Sequence, residues 1–189
     1  MMDKSFAEKC IKKHIDALNK FDINQIYKVA SLIIESIENN STIFWCGNGG
    51  SASQANHLSA ELIGGMQKEK IAPFKSMCLN TDSAFITAWS NDDKFENIFK
   101  RQLEANGNKG DVLIGLSTSG NSLNIIEASK YAKLVGINVI SFTGNKGGKL
   151  KNHSDININI DSDSTPRIQE IHILIGHIIC DLVEQHYKL

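Results

Sequence analysis

No stretch of this 189-residue sequence stays apolar for the ~18 residues a membrane-spanning helix needs, so no membrane segment is expected. The first residues, MMDKSFAEKC, are charged and lack an apolar centre, which argues against a secretory signal. Prolines number only two, and no Pro/Gly-rich linker, repeat or low-complexity tract divides the chain. Neither sign of charge is in excess: 20 Lys and Arg face 21 Asp and Glu, scattered along the sequence. Nucleic acid and anionic lipid are therefore not expected as partners. Cys10, Cys46, Cys78 and Cys180 are too far apart for a disulfide framework or C-x-x-C zinc spacing. Cys46 and Cys78 fall in apolar runs, as buried reduced thiols do, and a cytoplasmic location is expected.

What is present is ordinary for a soluble globular protein, with 41% apolar and 22% charged residues. The length suits one domain, residues 1–189, with a full core. Apolar residues at three-to-four spacing predict helix from about Phe6 to Glu38, interrupted near Phe21-Asp22. Short apolar runs predict strands at Ile43–Cys46, Ser76–Leu79, Val112–Leu116, Val139–Phe142 and Ile156–Ile160. Helical segments separate them at Ser51–Gly64, Ser83–Ser90, Phe95–Asn106 and Ser122–Val135, and a last helix covers Pro166–Tyr187. The run TGNKGGKLKNHS reads as a plain loop with weak helical character. Alternating strands and helices predict an α/β fold, a three-layer α/β/α sandwich on a five-stranded parallel sheet. An N-terminal helical segment (about 1–40) and a C-terminal helix (about 165–188) flank a sheet core (about 41–161). Strands apolar throughout predict burial on both faces.

Ligands of such sheets sit beyond the carboxyl ends of the strands, where loops turn into helices. Two of these turns carry the chemistry. The first, CGNGGSAS, joins the first strand to a helix, where glycines admit tight turns and close backbone approach. Gly47, Gly49 and Ala52 also satisfy G-x-G-x-x-A, the dinucleotide fingerprint, but the acid that would hold a ribose, Asp82, comes late. The other turn, GLSTSGNSLN, offers Ser117, Thr118, Ser119 and Ser122 around Gly120. Four hydroxyls beside a helix N-terminus form a neutral cup for a phosphate monoester. A serine-rich turn with a helix cap is the blander reading of the same residues.

CGNGGSASQANHLSAEL, STSGNS and RIQEIHILIGH together resemble the sugar isomerase (SIS) domain family, and within it the phosphoheptose isomerases. The resemblance spans nearly the whole chain. It implies an isomerase that converts sedoheptulose 7-phosphate to D-glycero-D-manno-heptose 7-phosphate, toward ADP-heptose for lipopolysaccharide or capsule. It also implies a homotetramer with active sites between subunits, and zinc as cofactor. By position, Glu61 would be the catalytic base and His177 its acid/base partner, with His57, Glu61, Gln169 and His177 as metal ligands. Asn48, Gly49, Gly50, Asn91, Asp92, Glu61 and Gln169 would touch the sugar, and Ser117, Thr118, Ser119 and Ser122 the phosphate. SIS domains also include non-catalytic modules that bind a phosphosugar or a protein partner. A shorter ketose phosphate is a further possible substrate.

The residue types suit this chemistry. Ketose–aldose interconversion needs a base to move a carbon-bound proton and a second group to shuttle protons between two oxygens. Imidazole suits the second task, since it titrates near neutrality when unperturbed. His57 and Glu61, four apart, project from one helix face, which serves a metal, a relay or a simple surface pair. Gln169 and His177 are separated by eight residues, about 12 Å along a helix, and Glu170 faces closer to His177 than Gln169 does. For His172 a structural role is the expectation. The last helix is apolar almost all round and so needs cover on more than one side, by the core or by a second copy.

Overall fold

The computed structural model describes residues 4–66 and 72–188; residues 1–3 and 189, the extreme ends of the expected domain, lie outside it. Helices α1 (Lys4–Leu18) and α2 (Asn24–Glu38) are separated where Asp22 accepts a hydrogen bond from the Asn24 amide at 3.0 Å. The chain then alternates β1 (Ile43–Gly47), α3 (Gly50–Gly64), β2 (Ser76–Cys78), α4 (Ser83–Asp92), α5 (Ile98–Asn106), β3 (Val112–Ser117), α6 (Leu123–Val135), β4 (Asn138–Gly144), β5 (Ile156–Ile160) and α7 (Thr165–His186). Short 3-10 turns at Phe95–Asn97 and Leu150–His153 complete it.

All strand pairings are parallel, in the order β2-β1-β3-β4-β5. Side chains of the inner strands alternate between two cores. Trp45, Ile114 and Phe142 point to the layer of α2, α3 and α7. Phe44, Leu113 and Val139 point to the layer of α5 and α6, where Phe99 and Ile125 meet them. The three-layer reading holds. Burial on both faces, expected of every strand, is found only in β1, β3 and β4. The outer strands are covered less, because each has a neighbour on one side alone. In β5, Ile158 and Ile160 enter the core while Asn157 donates to Ser141 and Thr143 hydroxyls at 2.8 Å. Among the described residues no helix is long and apolar enough to cross a membrane.

The order has one consequence for function. The chain leaves β1 for β2 on one side and returns to β3 on the other, so α3 and α6 cover opposite faces. The turns after β1 and β3 therefore face each other across the crevice at the switch point of the sheet.

α7 is held by His172, which has no exposed surface. Its Nε2 donates to the Thr143 carbonyl at 3.1 Å, and its ring stands edge-on to Phe142. Burial pushes its pKa down to about 4, so the folded protein holds the neutral form and the unfolded chain takes up the proton first. This contribution is complete above the ordinary histidine pKa and is lost as pH falls from there toward the folded value. Unfolding free energy from urea titration should drop by about 2 kcal/mol between pH 7 and pH 5 on this account. His172→Gln should remove that part of the pH dependence; an unchanged slope would contradict it.

Candidate active site

The first turn is fixed from both ends. Asn80, just past β2, accepts from the Gly47 amide at 3.0 Å and donates to the Gly47 carbonyl at 2.9 Å. Gly49 then adopts φ 56° and ψ −123°, a conformation strained for any residue with a Cβ. α3 starts at Gly50, and its N-terminus opens on the crevice. The Gln169 side chain lies so close that a Cβ at Gly50 would sit 2.7 Å from its Nε2.

The second turn is braced by the loop after β4. Ser117 and Ser122 share a hydrogen bond between hydroxyls at 2.9 Å, and the Ser119 hydroxyl accepts from the Asn121 amide at 3.1 Å. Thr118 accepts from the Gly144 amide and Gly120 from the Leu150 amide. A Cβ on Gly120 would stand 2.1 Å from the Gly147 carbonyl oxygen. The GNKGGK run, expected as a plain loop, is thus the seat on which the serine-rich turn rests.

A third group forms between α3 and α7, which run side by side in the same direction. Gly176 permits this, for a Cβ there would lie 2.4 Å from Leu58 Cδ1. The approach brings His177 Nε2 to 2.8 Å from His57 Nε2, one ring donating and the other accepting. His57 Nε2 also lies 3.4 Å from Glu61 Oε1. The Glu61 side chain is 21% exposed and that of His57 48%. One turn earlier Gln54 donates to the Gln169 carbonyl at 2.7 Å, while its own Oε1 is buried without a donor.

Other residues sit apart from this group. Gln169 lies eight residues before His177, about 12 Å along α7, beside Gly50 rather than beside the histidines. Asn91 and Asp92 end α4, exposed and hydrogen-bonded to each other. Among the described residues neither is hydrogen-bonded to the two turns or to α3. Glu170 turns away to Arg167 and to His14 of α1, which it meets at 3.0 Å. Partial desolvation raises the pKa of its carboxyl, but these two partners outweigh that and leave it below the usual range. Among the described residues no group of three or more His, Cys, Asp and Glu stands in ready ligand geometry for a metal.

Known proteins share this architecture throughout. The SIS domain profile matches residues 8–144. The phosphoheptose isomerase of Helicobacter pylori strain P12 is 45% identical, covering 99% of this chain and 96% of its own. The chain belongs to the phosphoheptose isomerase family. A second phosphoheptose isomerase, from Clostridium acetobutylicum, is 42% identical over 96% of this chain and 95% of its own. The structure of phosphoheptose isomerase from Neisseria gonorrhoeae superposes with a TM-score of 0.89 at 37% identity, covering 96% of this chain and 98% of that one.

The geometry brings in residues that the motifs alone did not single out. Asn80, Asn124, Gln54 and Gly176 each hold a neighbouring site residue or helix in place. The signals were an Asn just past a strand, an Asn in the first turn of a helix, and a Gly within an apolar helix. Each acquires meaning only once the adjoining segment is known.

Proposed function

We propose that the protein interconverts sedoheptulose 7-phosphate and D-glycero-D-manno-heptose 7-phosphate, with Glu61 as base and His177 as its proton-transfer partner. The meeting of His57, Glu61 and His177 carries this reading. The Glu61 carboxylate takes the proton from carbon 1 of the ketose and returns it to carbon 2, through an enediol. His177, hydrogen-bonded to His57, moves the hydroxyl proton between the two oxygens, since its partner can accept or release charge. Ser117, Thr118, Ser119 and Ser122 hold the phosphate at the N-terminus of α6. Asn48, Gly49, Gly50, Asn91, Asp92 and Gln169 line the sugar.

Zinc is the proposed cofactor. Its donors within one chain would be His57, Glu61 and His177, a nitrogen and oxygen set suited to that ion. Gln169, about 12 Å along α7 beside Gly50, would join them only from another subunit. The 3.4 Å between His57 Nε2 and Glu61 Oε1 matches two ligands of one tetrahedral ion. The 2.8 Å between the histidines is about half an ångström short of that spacing, so the rings would have to part slightly to hold an ion. Bound there, it supplies Lewis-acid stabilisation of charge on the enediol oxygens.

A second copy completes the site. Glu61 lies eleven residues, about 16 Å, along α3 from Gly50. A seven-carbon phosphate is roughly 10 Å long at about 1.5 Å per bond, shorter than the run of α3 from the glycine turn to Glu61, which supports a base supplied by another subunit. Exposed Leu174 and Ile178 flank His177, and exposed Ile63 follows Glu61, an apolar rim fit for another subunit. The proposed assembly is a homotetramer of a single SIS domain spanning residues 1–189, in the cytoplasm, feeding ADP-heptose for lipopolysaccharide or capsule.

Turnover of five-, six- and seven-carbon ketose phosphates tests the reading. The seven-carbon substrate should exceed the others at least tenfold in kcat/KM. A preference for the five-carbon sugar, or no turnover of the seven-carbon one, would end it.

A further inference from the structure

The two ligand turns are joined by a pair of side chains, of which Asn48 lines the sugar and Asn124 has no place in the chemistry above. Asn48 Nδ2 donates to Asn124 Oδ1 at 2.9 Å, and Asn124 Nδ2 donates back to Asn48 Oδ1 at 2.8 Å. Asn124 is 2% exposed, and its Oδ1 also accepts from the Ile125 amide at 3.0 Å. These partners fix which end of each carboxamide is oxygen, because a flip would set donor against donor.

Each end of the pair is rigidly attached. On one side Gly47, the residue before Asn48, is clamped through its own amide and carbonyl by Asn80. On the other, Asn124 is the second residue of α6, whose cap Ser122 is tied to Ser117. A direct bridge therefore spans the switch point, from the glycine turn to the phosphate cup. No other side-chain pair among the described residues hydrogen-bonds these two turns to each other. The bridge uses one N–H and one lone pair of the part-buried Asn48 carboxamide, which leaves its second N–H and second lone pair for a sugar.

We infer that Asn124 is a positioning residue: through Asn48 it sets the spacing between the phosphate cup and the sugar-binding turn, and hence the length of phosphosugar the site accepts. The inference rests on the function proposed above. Breaking the bridge leaves the cup itself intact, since Ser117, Ser119 and Ser122 keep their own bonds. Phosphate should still bind, while the remainder of the sugar loses its register.

Two variants test this, Asn124→Leu, with the same branching and heavy-atom count but no polar atoms, and Asn124→Ser, which keeps a small polar group. Calorimetry gives affinities for inorganic phosphate and for sedoheptulose 7-phosphate, and turnover is measured on seven- and five-carbon ketose phosphates. The expected result is a phosphate affinity within threefold of the parent, a preference for seven over five carbons reduced at least tenfold, and a matching loss of heptulose phosphate affinity. Asn48→Ala should behave alike, and Asn48→Ala with Asn124→Leu should cost no more than the larger single change, as for one shared interaction. A merely structural role would lower melting temperature and all affinities together, leaving the preference unchanged. Unchanged preference in both Asn124 variants, with the parent active, overturns the inference alone. A parent that binds but does not turn over heptulose phosphate overturns the proposed function, and the affinity ratio then decides the inference by itself.

Discussion

Glu61→Gln should lower kcat by about 10³-fold, the usual scale for loss of a general base, with little effect on the fold. Glutamine matches the shape of glutamate and can still hydrogen-bond His57, which stands 3.4 Å away. The contact it replaces is partly exposed, so its loss costs at most about 1 kcal/mol of stability. Phosphosugar binding should survive, because the cup is built on β3 and α6 rather than on α3. Steady-state kinetics with a melting curve checks both halves. Turnover at the parent rate would show that the assigned base is wrong.

Ser122→Asp should be nearly as damaging by another route. Ser122 caps α6 in an extended conformation without a side-chain cap bond. Aspartate is as good a cap as serine, so the helix should persist. Its carboxylate would face the substrate phosphate at about 4 Å, where repulsion near a protein surface is about 4 kcal/mol per pair of charges. That corresponds to about 10³-fold in affinity. The loss should appear in KM, with kcat at saturation far less affected. A KM close to that of the parent would place the phosphate elsewhere.

The contrast between these two variants reflects what the sequence could and could not disclose. Strand and helix positions were legible because apolar runs and glycine or serine punctuation mark them locally. The bend at Asp22 and the turns at Gly49 and Gly120 belong to that class. The pairing of His57 with Glu61 was legible from helical spacing. The meeting of His57 with His177 was not, for it depends on Gly176 letting α7 lie against Leu58. Rotation about an isolated α7 brought Glu170 nearer to His177 than Gln169. In the fold the two neighbours diverge, Glu170 to His14 of α1 and Gln169 to Gly50 of α3, because α7 packs between both helices. The Asn48–Asn124 bridge was hidden for a similar reason: only the strand order shows that their turns adjoin. Edge strands were misjudged because an apolar run does not reveal whether a strand has two neighbours.

Mixed assemblies of the two variants test the central claim most directly. If the cup of one chain serves the Glu61, His57 and His177 of another, then at substrate concentrations far below the raised KM of Ser122→Asp neither variant alone shows appreciable turnover, but a hybrid contains repaired sites. Chains carrying Glu61→Gln and chains carrying Ser122→Asp, co-expressed with different tags and isolated together, should recover about one quarter of parental activity at random pairing. Activity no higher than that of the separate variants, in hybrids shown to contain both chains, would mean that cup and base belong to one chain and would contradict the account.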